Sequence, residues 1–166
     1  MSHEAIIIKK VPIREFDELI ICYTKDNGKQ TYQIKSSLRH TSKQGRHVDV
    51  LSHADFNLVE GHVMPIIVSA RCLNPFYNIK SSLKSWALAT FILECVDKIV
   101  PENEPDVDLW FRLQEILNDC MIHDMSVDRL RDKTLGFLGY PVSANIEDIA
   151  QSKFNSLDFI RRLEVL

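Results

Sequence analysis

"ELIICYTKDNGKQTYQIK", residues 18–35, decides the fold. Its first part, Glu18–Thr24, is apolar and β-branched, the composition of a half-buried strand. Asp26–Lys29 follows, and its Asn27-Gly28 pair is a strong short-range hairpin signal. Lys29–Lys35 then alternates, with Thr31 and Gln33 on one face and Tyr32 and Ile34 on the other. Two antiparallel strands and a tight turn are expected here. Upstream, "AIIIKKVPI" (Ala5–Ile13) reads as a strand whose ladder ends or bulges at Pro12. Downstream, Asp55–Gly61 and Met64–Cys72 supply two more strands joined by a short glycine-containing turn. Several short strands in one small span predict a barrel or sandwich, and closure into a barrel removes costly open edges.

After "NPFYN" (Asn74–Asn78) the period becomes helical. Ile79, Leu83, Trp86, Thr90, Leu93 and Val96 recur every three or four residues and predict one buried stripe. Pro101 ends that helix, and "PENEP" (Pro101–Pro105) is an acidic turn. Asp106 is placed to cap a second helix with Trp110, Leu113, Leu117 and Cys120 or Met121 inward. Ser126 is placed to cap a third, with Leu130, Thr134 and Phe137 or Leu138 inward, ended by "GYPVS". Phe154, Leu157, Ile160 and Leu163 keep helical spacing in the last stretch. The expected class is α+β: an OB-fold-like β-barrel over residues 1–75, then an α-helical bundle over residues 76–166.

Composition narrows the functional classes. The chain has 166 residues, 45 % hydrophobic and 26 % charged, with five Gly and six Pro, so long disordered tracts are not expected. No apolar run reaches the roughly 18 residues of a membrane span, and the apolar patch at Ala5–Ile8 is too short for a signal-peptide core. A cytoplasmic location away from membranes is the expectation. Cys22, Cys72, Cys95 and Cys120 form no CxxC pair and read as buried thiols, not as disulfides or a zinc site. No HExxH, GxSxG, Walker or GxGxxG pattern occurs. Glu15, Asp17 and Glu18 cluster before the second strand; they read as a solvated turn in preference to an acid–base pair. His40, His47, His53 and His62 fall close together in sequence, with His3 and His123 apart, and read as polar loop residues in preference to metal ligands. Neither an enzyme nor a cofactor is expected.

Charge points elsewhere. The formal net charge is -3, yet residues 1–80 hold 11 Lys and Arg against 8 Asp and Glu, while residues 81–166 hold 9 against 15. Between Gly28 and Arg46 lie Lys29, Lys35, Arg39, Lys43 and Arg46 and no acidic residue. Ser36, Ser37, Thr41, Ser42 and Gln44 separate them, and such hydroxyls and amides donate to phosphate oxygens beside Lys and Arg. Lys9, Lys10 and Arg14 extend the patch if the first strand lies beside this run. These eight cations are the candidate DNA-contacting set.

The chain resembles the bacterial recombination-mediator family RecO. Ala5–His40 is similar to that family's opening: an apolar strand ending in basic residues, an E-x-D-x-L element (Glu15 to Leu19), a strand ending in Tyr23-Thr24, and a glycine turn at Gly28. Leu83–Leu117 resembles its first bundle helices, including the stop at Val100 to Pro105, and Leu135–Ser143 resembles its L-x-x-L-G-Y-x-P element with a shortened spacing. The resemblance implies an oligonucleotide-binding barrel followed by helices. It also implies binding to single- and double-stranded DNA, strand annealing, and RecA loading with RecR-like and SSB-like partners. Lys35 and Arg39 fall in the family's basic cluster, and Lys9 and Lys10 at the basic end of its first strand. A glycine of that cluster is Ser36 here, so a differently bent loop is expected. No cysteine follows Cys120, so the family's four-cysteine zinc finger is not expected, and the last helices are expected to be shortened or replaced after Ser143. An SSB-like acidic, apolar tail would meet a groove between the helices, with Arg112, Arg129, Arg131 or Lys133 pairing its carboxylates. The alternative is a protein-interaction adaptor that has lost DNA binding.

Overall fold

The computed structural model describes residues 2–122 and 125–164, which fall into two compact units. The first comprises Met1–Phe76 together with Pro101–Val107; the second comprises Tyr77–Val100 and Asp108–Leu166.

In the first unit β1 (Ser2–Pro12), β2 (Glu18–Thr24), β3 (Gly28–Ile34), β4 (His53–Val59) and β5 (Ile66–Asn74) close a barrel in the order β1-β2-β3-β5-β4. Neighbours are antiparallel except β3 and β5, which run parallel through only Gln33↔Ile66 and Ile34↔Ile67. This is the OB-fold arrangement expected from the sequence. The hairpin closes at Thr24↔Gly28. The Thr24 hydroxyl donates to the Gly28 carbonyl at 2.9 Å and accepts the Asn27 N–H at 3.1 Å, which ties the turn from inside. Gly28 stands at φ +69, where an L side chain is strained. A bulge shifts β1 between Ile7 and Lys9, so the inward phase passes from Ala5 and Ile7 to Lys10.

The barrel core is Ala5, Ile7, Ile20, Cys22, Tyr32, Ile34, Val48, Ala54, Phe56 and Ile67. Tyr32 meets Phe56 edge to face, with ring centroids 5.5 Å apart. Each buried aliphatic side chain contributes about 1.5–3 kcal/mol, and the alternation read in β3 is the reason Tyr32 and Ile34 take part. Residues 101–107, expected as a plain acidic turn, lie against the β2–β3 hairpin. Asn103 N–H donates to the Lys29 carbonyl at 3.1 Å, Gln30 donates to the Asn103 side chain at 3.1 Å, and Asp106 N–H donates to the Tyr23 hydroxyl at 3.1 Å.

The second unit holds α1 (Tyr77–Lys80), α2 (Leu83–Ile99), most of α3 (Val107–Ile122), α4 (Val127–Phe137), α5 (Ile146–Ala150) and α6 (Asn155–Glu164). Ser82, Ser126 and Asn145 cap α2, α4 and α5 through their side chains. The expected inward residues Trp110, Leu113, Leu117 and Cys120 of α3, Leu130 and Thr134 of α4, and Phe154, Leu157 and Ile160 around α6 are buried. His123 and the side chain of Met121 lie outside the described residues.

The stripe expected on α2 is corrected. Leu83 is 60 % exposed, Trp86 38 %, and Thr90 is exposed with its hydroxyl donated to the Trp86 carbonyl. The buried set is Ala87, Leu88, Ala89, Phe91, Ile92, Leu93, Cys95 and Val96, because α1, α4, α5 and α6 all pack on this helix and cover more than one stripe. Glu94 anchors α6. Its carboxylate accepts the N–H groups of Asn155 and Ser156, each at 3.0 Å, and the Ser156 hydroxyl, and it pairs with Lys98 at 3.1 Å. Burial pushes its carboxyl up, but these donors outweigh burial and hold it below its ordinary value. Cys22, Cys95 and Cys120 are buried free thiols, with Cys120 pushed up to about 12 by burial; Cys72 is half-buried.

Candidate nucleic-acid interface

The β1–β2 turn and the β3–β4 connection are stitched together at one end of the barrel. Ile13 N–H donates to the Asp17 carbonyl at 3.0 Å and closes the turn. The Asp17 carboxylate then reaches across to β3, accepting the Ser36 N–H at 2.8 Å and the Gln33 amide at 3.2 Å. Leu38 N–H donates to the Phe16 carbonyl at 3.2 Å.

Deeper, Glu18 is 4 % exposed on the inward face of β2. It accepts the Ser37 hydroxyl at 2.7 Å and pairs with Lys10 at 3.3 Å. Lys10 also donates to the Gly45 carbonyl at 3.5 Å. A Cβ at Gly45 would stand 2.6 Å from the Ser37 carbonyl oxygen, so the two arms of the connection touch backbone to backbone. The far arm reaches β5, where Gln44 donates to the Val68 carbonyl at 2.5 Å. The connection returns to β1 through Leu51 N–H to the Ile7 carbonyl at 3.0 Å. The expectation of a solvated turn thus fails for Asp17 and Glu18, which are the anchors of the connection. The signal available in the sequence was an acidic pair at a strand start facing a serine-rich, acid-free run.

Ser36 sits at φ 56. It takes the left-handed conformation that glycine adopts without strain. The Asp17 carboxylate holds its N–H in place.

The candidate cations separate into three groups. Arg14, Lys35, Arg39, Lys43 and Arg46 are exposed, and none has an ion pair among the described residues. Arg14 lies in the β1–β2 turn, Lys35 and Arg39 flank the segment bonded to that turn, and Lys43 and Arg46 flank Gln44 and Gly45. Lys9 is exposed on β1 but points to the opposite face from Lys10. The other two are corrected. Lys10 is committed to Glu18 and Gly45, because the bulge turns it inward to the barrel mouth. Lys29 is 8 % exposed, because residues 101–107 cover that face of β3.

The helical candidates do not form one site. Arg112 and Lys133 line a cleft of about 270 Å³ with Glu115, Ile116, Asp119 and Phe137. Lys133 is already paired with Asp119 at 2.6 Å, and Arg131 lies between Asp128 at 3.2 Å and Asp132 at 3.1 Å. Arg129 is exposed outside that cleft. Among the described residues no group of three or more His, Cys, Asp or Glu side chains is placed to hold a metal, and no helix is long and apolar enough to cross a membrane.

The family match falls on the same barrel. Residues 1–76 match the family described as "Recombination protein O N terminal". The chain is 28 % identical over 142 residues to the DNA repair protein RecO of Syntrophobacter fumaroxidans, covering 81 % of this chain and 56 % of that protein. It is 30 % identical over 111 residues to the DNA repair protein RecO of Caldanaerobacter subterraneus subsp. tengcongensis, covering 67 % of this chain and 45 % of that protein. With Desulforamulus reducens the values are 27 % over 138 residues, 82 % and 54 %. The chain spans about half the length of the curated relatives it matches. Residues 1–76, the N-terminal barrel, are thus those of the RecO family's N-terminal domain.

Proposed function

We propose that this protein acts in DNA repair by binding DNA through the stitched end of its barrel. One observation carries the reading: five exposed arginines and lysines, with no ion pair among the described residues, stand on two segments that are hydrogen-bonded to each other. Free cations held by a fixed backbone neutralise phosphates and release counterions, which is the main source of affinity for a nucleic-acid strand. Two strands held at such a surface repel each other less, and base pairing supplies the remaining drive to anneal. No bond is made or broken, so no catalytic group is needed. RecA loading with RecR-like and SSB-like partners is the wider role that the family resemblance implies, and the Arg112 cleft is the surface for an acidic, apolar tail.

The test is a salt titration of oligonucleotide binding by the full chain. Changing Lys35, Arg39, Lys43 and Arg46 to Ala should weaken binding similarly for all sequences and flatten the salt slope by about one per lost contact. Undetectable binding by the unmodified chain at low salt rejects the reading and favours an interaction adaptor.

A further inference from the structure

Arg39 is held differently from its neighbours. Its Cζ lies over the ring of Phe16, 4.9 Å from the centroid. Both partners are fixed from the backbone. Phe16 accepts the Leu38 N–H at 3.2 Å, Arg39 N–H donates to the Ser36 carbonyl at 3.3 Å, and the Arg39 carbonyl accepts the Ser42 N–H at 2.9 Å. The aromatic face attracts the cation, and the contact restricts a side chain that would otherwise sample many rotamers. Nothing else occupies the guanidinium among the described residues: it has no ion pair and no side-chain hydrogen bond. Arg14 and Glu15, exposed in the same turn, make no ion pair with it.

We propose that Arg39, seated on Phe16, is a stacking site for a nucleobase of single-stranded DNA. This rests on the DNA-binding reading and deepens it, because it concerns which strand form is preferred. Phosphate contacts alone carry little such preference. A guanidinium is a flat, delocalised plane, and unstacked bases lie on such planes as they do on aromatic rings. Phe16 lies against the guanidinium, and the exposed side chain leaves the rest of it to solvent. The N–H edges remain available for the adjoining phosphate. Lys35 and Lys43 have charge but no plane. In a continuous duplex each base face is already taken by its neighbour, so the contact is offered to single strands alone.

The experiment compares the wild-type chain with Arg39→Lys and Phe16→Leu, using a thymidine oligonucleotide and a blunt duplex of equal length at several salt concentrations. Arg39→Lys should weaken single-strand binding about tenfold, the effect of losing one stacked base. Its duplex binding should change less than about twofold, with an unaltered salt slope, because the charge is kept. Phe16→Leu, checked for folding by circular dichroism, should move in the same direction. An oligonucleotide containing 2-aminopurine should be quenched by the wild type and less so by Arg39→Lys. Wild-type affinity in Arg39→Lys, or an equal loss for both strand forms, overturns the stacking site and leaves phosphate binding in place. No binding of either form by the wild type overturns both.

Discussion

The carboxylate of Asp17 accepts the backbone N–H of Ser36 at 2.8 Å, and Ser36 stands at φ 56. One side chain from the β1–β2 turn therefore fixes the backbone at the point where the cationic connection leaves β3. Asp17→Ala should cost about 1–3 kcal/mol in urea unfolding, because it orphans this N–H and the Gln33 amide. Ser36→Gly should leave the Tm unchanged or raise it, since glycine takes this conformation without strain. A Tm several degrees lower for Ser36→Gly would show that the conformation is not strained.

Lys10 and Glu18 form a second anchor at 3.3 Å, with Ser37 on the same carboxylate oxygen. Glu18→Ala should destabilise by about 3 kcal/mol, because it leaves an ammonium at the barrel mouth with no partner charge. The double variant Lys10→Met/Glu18→Leu should recover much of that loss. A double-mutant cycle by chemical denaturation checks it; additive losses would mean that the two groups do not act together.

At Gly28 the backbone stands at φ +69, and a Cβ would be 2.2 Å from the Glu104 carbonyl oxygen. Gly28→Ala should therefore lower stability by about 2 kcal/mol or more, combining strain with displacement of residues 101–107. Thermal unfolding of the variant checks this, and an unchanged Tm would contradict the close approach.

Glu94 sets a pH dependence for the helical unit. Its carboxyl lies below its ordinary value of 4.5 in the folded chain, so the folded state binds its proton more weakly than the unfolded state. The sign follows: its contribution is present above about pH 4.5 and fades as the pH falls through the lowered value. Urea midpoints measured against pH should fall in acid, and Glu94→Gln should show a shallower fall. Identical profiles would place the acid sensitivity elsewhere.

The sequence made the barrel legible where the chain alternates and turns. The hairpin at residues 18–35 needed only β-branched side chains and Asn27-Gly28, and its strands lie close to the expected positions. The third and fourth inferred helices were likewise legible from Ser126 and from the apolar spacing up to Ile160. Alternation and caps are local properties, and local properties are written in adjacent residues. The commitments of Lys10 and Lys29 were not legible. They depend on a bulge that turns one strand by a single residue and on a segment more than 70 positions away, Asn103 against Gln30 and Lys29. The α2 stripe misled because a helix packed by several others has no single buried face. The role of Asp17 and Glu18 was hidden for a similar reason: an acid at a turn looks solvated until the element that covers it is known.

The parallel seam between β3 and β5, only Gln33↔Ile66 and Ile34↔Ile67, has a wider consequence. A cylinder with one short joint parts there first when it breathes. Gln44 bonds to Val68 just beyond that joint, so the cationic connection acts as a clasp across it. Whatever steadies the clasp slows the breathing, and the Gln33 amide proton, donated to the Pro65 carbonyl across the joint, would report an occupied surface without any probe attached to it.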